Sequence, residues 1–205
     1  MARTNVTKVY DKVMDEIQKF IDTGSCKLTK ATFTNRALDS IMIGDRHFEY
    51  GGKEYVGVCD GGVAVWFIPK DYWRFDTELL IDQGVFTLFP IDRFTTPDMG
   101  DFVPAAYLGI GGAGGTLERL GGYDVDGYMN SYDKENLKKD RNITPAIIRE
   151  PHGVDFFDRY FNARIIERFV KIADDFTFCA DGGINPIYFK AANALLGFVL
   201  PIRSN

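Results

Sequence analysis

Two stretches of helical periodicity, one near each end of the chain, constrain the fold most. Each is followed by short apolar runs that break at an Asp-Gly-Gly string. In the first stretch, residues 5–22, Val6, Val9, Val13, Ile17, Phe20 and Ile21 recur at the spacing of one helix face. Thr4 or Asn5 stands where a cap belongs, and Gly24 follows the end. The second stretch, residues 160–174, carries Phe161, Ile165, Ile166, Phe169, Val170 and Ile172. A helix with one apolar face must bury that face on another element, and the runs that follow each helix have the character of strands.

Those runs are Leu38–Ile43, His47–Tyr50, Tyr55–Cys59 and Val63–Ile68, with a further strand expected within residues 84–90. Glycine pairs at Gly51-Gly52 and Gly61-Gly62 separate them and suit tight hairpin turns, so the order predicts an antiparallel meander. Near the other end come Phe176–Ala180, the turn Asp181-Gly182-Gly183, Ile187–Lys190 and Gly197–Ile202. VCDGGVAVWFIP at 58–69 echoes FCADGGINPIYF at 178–189, which suggests an internal repeat. The expected fold is α+β: one domain over residues 1–205, with two helices on antiparallel sheet. Residues 91–155 are rich in Gly, Asp, Tyr and Pro and read as a long irregular insertion with a short helix near Lys134–Lys139.

Composition narrows the class. The chain has 205 residues, is 45% hydrophobic and 14% aromatic, and can therefore build a core. A net charge of −5 argues against a wholly basic nucleic-acid coat and leaves room for a local basic stripe. Cys26, Cys59 and Cys179 are odd in number and lack CxxC spacing, which favours reduced buried thiols over disulfides or zinc. The first twenty residues lack the apolar centre of a signal peptide, and no run is apolar enough to span a bilayer, so a cytoplasmic protein with no membrane partner is expected.

Three strings then carry a resemblance. FNARIIERFVKIAD, FTFCADGGINPIYFK and the closing FVLPIR, together spanning Phe161–Arg203, resemble the last part of a bacterial DNA sliding clamp, the beta subunit of the replicative polymerase. VGVCDGGVAVW is similar to the clamp strand that ends in Thr-Asp-Gly, although no Arg follows the glycine here. The chain is far shorter than a three-domain clamp. The resemblance therefore implies a single DNA-clamp-like domain interrupted by an insertion, and a processivity factor of the kind a phage or mobile element carries.

The resemblance also implies roles for particular residues. Lys8, Lys12 and Lys19 share one stripe of the first helix, with Asp15 among them. Arg164, Arg168 and Lys171 share one of the second, with no acid among them. In a clamp such helices face double-stranded DNA and neutralise phosphates without reading sequence. The same spacing describes ordinary solvated faces paired to neighbouring acids. Leu200, Pro201 and Ile202 would form part of a groove for a peptide from a DNA polymerase or clamp-loader type protein, or else end a core strand. Encircling DNA would need a homo-oligomer with edge strands paired between subunits.

No catalytic residue, metal ligand or cofactor is expected. Gly109, Gly111 and Gly114 form a GxGxxG with no βαβ unit around them, and read as a flexible loop. His47 and His152 lack the spacing of metal ligands. Asp60 and Asp181 read as turn residues before glycine. Two other functions remain open: a nucleotide- or metal-dependent enzyme using Asp124, Asp126, His152 and Asp155 of the insertion, and an oligomeric virion-type structural protein.

Overall fold

The structure, a computed structural model, describes residues 6–30, 37–61, 64–93, 102–104, 108–110, 144–149, 156–161, 165, 168–169, 171–178 and 186–200. Helix α1 is Val6–Thr23 and buries Val9, Tyr10, Val13, Met14, Ile17 and Phe20, the face that the periodicity marks. It stops at Gly24, whose positive φ of 70° places its amide 2.7 Å from the Phe20 carbonyl.

Strands β1 (Ile41–Gly44), β2 (Phe48–Tyr50), β3 (Lys53–Asp60) and β4 (Ala64–Pro69) follow. Gly51 and Gly52, with φ of 58° and 73°, turn β2 into β3 in the left-handed conformation that hairpins of two residues require. Helix α2, Thr77–Asp82, is absent from the sequence reading. Asp76 caps it by accepting from the Leu79 amide at 3.1 Å. Strand β5 (Phe86–Phe89) then pairs in parallel with β1, where a pure meander was expected.

The stretch 91–155 is not irregular throughout. It contains β6 (Val103–Pro104), β7 (Leu108–Ile110) and β8 (Thr144–Arg149). β7 and β8 form a separate three-stranded sheet with β9, Phe156–Phe161. Tyr160 and Phe161, expected to open the second helix, close β9 instead; Ile165, Arg168 and Phe169 are helical, and Lys171 and Ile172 form a turn. The helix expected near Lys134–Lys139 and the Asp181-Gly182-Gly183 turn lie outside the described residues. The last strands are β10 (Asp175–Phe178), β11 (Ile187–Ala191) and β12 (Ala194–Val199).

The large sheet runs β5-β1-β3-β4-β12-β11-β10-β6, with β2 beside β3. Its centre is the antiparallel pair β4·β12. On either side the order is mirrored, β4-β3-β1 against β12-β11-β10, and each set follows a helical segment in sequence. The string echo does not map onto this symmetry. It aligns β3 and β4 with β10 and β11, whereas the sheet order matches them to β11 and β12. The echoed strings therefore do not occupy equivalent positions in the sheet.

Both faces of the sheet are covered, so β3 and β4 are buried without a break from Tyr55 to Asp60 and from Ala64 to Ile68. One face carries α1 together with Ile165 and Phe169, packed on Ile41, Ile43, Val58, Trp66, Phe176, Phe189 and Leu196. The other carries Tyr55, Phe67, Phe89, Ile91, Tyr188, Leu195 and Phe198. β12 serves both faces by the alternation of its side chains, and a bulge shifts the phase of that alternation between Leu196 and Phe198. The register shifts opposite Phe189 and Lys190, and Gly197 follows at φ 155°. A Cβ on Gly197 would stand 2.1 Å from the Val65 carbonyl oxygen and 2.9 Å from the Phe169 ring. Among the described residues no helix is long and apolar enough to cross a membrane.

A candidate binding cleft between the helical segments

Where α1 and the segment around residues 165–172 meet above the sheet, a cleft of about 580 Å³ opens. Val9 and Val13 of α1, Leu28, Trp66 and Ile172 form its apolar part. Lys12, Asp15, Glu16, Lys27, Asp60, Arg168 and Lys171 supply its charges. Two helical elements on one sheet face thus bring together cations that are more than 150 positions apart in sequence.

Asp60 lies at the base. It ends β3 on the helix-bearing face, and its side chain is only 4% exposed. Its carboxylate accepts from Arg168 Nη1 at 2.7 Å and from Trp66 Nε1 at 3.3 Å. Burial raises its pKa above the ordinary carboxylate value, and the Arg168 charge and the two hydrogen bonds only partly offset that effect. Asp60 is thus more than a turn residue: it ties the second helical segment to the first half of the sheet. Phe169 does the same with its ring, which stacks on Trp66 at 4.1 Å and on Phe189 at 4.9 Å between centroids.

The predicted DNA-contacting residues have different surroundings. Lys8, Lys12 and Lys19 are exposed on α1, and Lys171, also exposed, lines the cleft with Lys12. Arg168 is committed to Asp60. Acids interleave with the α1 lysines, and several of them have partners. Asp11 accepts from the Tyr72 hydroxyl at 2.6 Å, Asp15 pairs with Arg74 at 3.4 Å, and Glu16 accepts from the Lys27 amide at 2.6 Å. Arg164 lies outside the described residues, as do Pro201 and Ile202 of the expected groove. Leu200 is half-buried and packs on the second core cluster.

His47 sits 3.7 Å from Glu54, which also binds Lys70 at 2.7 Å. The Lys70 hydrogen bond holds the Glu54 carboxyl below its ordinary range. Among the described residues no three His, Cys, Asp or Glu side chains gather as a metal site would require. Cys26 and Cys59 are buried and not in a disulfide. Cys179, Asp124, Asp126, His152, Asp155, Asp181, Gly111 and Gly114 lie outside the described residues. Gly109 lies in β7, paired with Ile147, rather than in a loop.

Nothing in the sequence marks Asp60, Trp66 and Phe169 as partners, because Asp60 and Arg168 are 108 positions apart. The one available hint is a carboxylate directly after the continuous apolar run from Tyr55 to Cys59, a run of the kind that strands covered on both faces carry. Comparison with family models, with curated proteins and with solved structures returns no match, so the reading of function rests on the chain's own geometry.

Proposed function

We propose that this chain is a non-catalytic, sliding-clamp-like protein that binds duplex DNA through the face bearing its two helical segments. The observation that carries this reading is their placement. α1 and the segment containing Ile165 and Phe169 share one core cluster on one face of a continuous sheet, with Lys12 and Lys171 both lining the cleft between them. The mirrored strand order on either side of β4·β12 gives further support, since it sets two helix-and-strand units side by side in one layer.

Lysine ammonium groups neutralise backbone phosphates and release counterions, so contact is independent of sequence and weakens steeply with salt. With a net charge of −5, the chain as a whole repels DNA, and attraction must come from this local stripe. Arg168 contributes less than Lys12 or Lys171, because its guanidinium is already paired with Asp60. The role is that of a processivity factor, with a polymerase- or loader-type protein as the second partner and several copies needed to encircle the duplex.

The test is fluorescence anisotropy of a labelled duplex at low salt. Replacing Lys8, Lys12, Lys19 and Lys171 together by Glu is expected to weaken binding by at least about a hundredfold, and two unrelated duplex sequences should bind equally well. Unchanged affinity in that variant overturns the proposal.

A further inference from the structure

The cleft has a chemistry that phosphate neutralisation does not use. All three of its acids are engaged: Asp15 with Arg74 at 3.4 Å, Glu16 with Lys27 at 3.7 Å, and Asp60 with Arg168 at 2.7 Å. These pairs occupy two of its four cations, Lys27 and Arg168. The other two, Lys12 and Lys171, have no ion-pair partner among the described residues, and they stand beside an apolar wall of Val9, Val13, Leu28 and Trp66. Charge attraction is stronger beside such a wall than in open water. The volume of about 580 Å³ lies within the range of small-molecule sites, which combine an apolar lining with a few convergent polar groups.

We propose that this cleft binds an amphipathic anion, with an apolar body against Val9, Val13, Leu28 and Trp66 and a single anionic head held between Lys12 and Lys171. A duplex cannot satisfy the site, because its phosphates lie on a rigid polar cylinder with no apolar body to seat. A cationic amphiphile meets two ammonium groups at the entrance. A neutral one gains the wall and loses the head contact. The site does not depend on the DNA reading.

The probe is dodecanoate, titrated below its micelle concentration into the full chain. The readout is the emission of Trp66 in a Trp73→Phe background, which leaves one tryptophan. Saturable binding is expected, with dodecanol and acetate each weaker by about tenfold or more, since the first lacks the head and the second the body. Lys12→Glu with Lys171→Glu should weaken dodecanoate by about tenfold or more and leave dodecanol unchanged. Both residues are exposed, and an unshifted melting temperature verifies that the variant folds. Lys8→Glu with Lys19→Glu, which should weaken DNA binding, is expected to leave dodecanoate affinity unchanged, so the two readings can fail separately. The proposal is overturned if no saturable signal appears, if dodecanol binds as tightly as dodecanoate, or if the Lys12 and Lys171 variant binds dodecanoate like the parent.

Discussion

The two halves of the large sheet mirror each other in strand order but hold their helical segments in different ways. In the first half, α1 is held by six buried side chains spread along 18 residues. In the second half, the described contacts include those of Ile165, buried in the core, of Phe169, clamped between Trp66 and Phe189, and of Arg168, paired with Asp60. Trp66 and Asp60 belong to the first half. Among the described residues, the first helix thus spreads its hold over six side chains, whereas Phe169 and Arg168 of the second segment reach across the β4·β12 seam to Trp66 and Asp60. Similar strand order does not imply the same mode of attachment: these two contacts tie the second segment to the first half of the sheet.

This contrast can be broken or sharpened by mutation, and the largest effect is expected at the ring. Phe169→Ala should cost about 3–5 kcal/mol in urea unfolding, the range for emptying a fully buried aromatic site. A cost below about 1 kcal/mol would mean that the second segment has another anchor.

Next is Gly197→Ala, expected to cost about 3 kcal/mol, because its Cβ would meet the Val65 carbonyl oxygen and the Phe169 ring at once. Thermal unfolding measures it, and a neutral result would show that the bulge relaxes freely.

A smaller effect is expected at the ion pair. Arg168→Ala should cost on the order of 2 kcal/mol, since it leaves the Asp60 carboxylate buried without a counter-charge, discounted because Arg168 is nearly half exposed. Asp60→Asn should cost less, because a neutral amide stays hydrogen-bonded at the same place. The pH dependence has a definite sign. The folded-state pKa of Asp60 is raised above its ordinary value of 3.8. The stabilising contribution of the protonated form is therefore complete below that value and is lost as pH rises through the raised folded-state value. The stability of the parent relative to Asp60→Asn should fall across that window, and a difference that rises with pH would reverse the assignment.

The smallest stability effect belongs to the cleft rim. Lys12→Glu with Lys171→Glu should change unfolding free energy by no more than about 0.5 kcal/mol, as exposed substitutions usually do, while changing what the face binds.

How far the sequence revealed this arrangement follows from the range of each interaction. The face of α1 could be read from Val9, Val13, Ile17 and Phe20, because helical periodicity is local. The Gly51-Gly52 hairpin could be read because its glycines serve the turn itself. Helix α2 escaped because six residues are too few to show a period, although Asp76 and Gly84 bracket it as cap and stop. The parallel pairing of β5 with β1 is non-local and leaves no trace in either string. Residues 156–161, FFDRYF, fit a strand and the approach to a helix equally well, and tertiary pairing with β8 decided for the strand. The lysine stripe of α1 was visible, but the partners of its acids, Tyr72 and Arg74, come from a distant 3-10 turn and the residues just after it. The cleft needed Leu28, Trp66 and Lys171 placed together, which no spacing encodes.

The salt dependence of duplex affinity tests the central claim most directly. Binding constants measured between low and physiological salt should fall linearly on logarithmic axes, with a slope near −0.9 for each phosphate contacted. Removing Lys12 and Lys171 should make that slope shallower by roughly two. A slope that is flat in the parent chain, or identical in the variant, would contradict a DNA-binding role for this face.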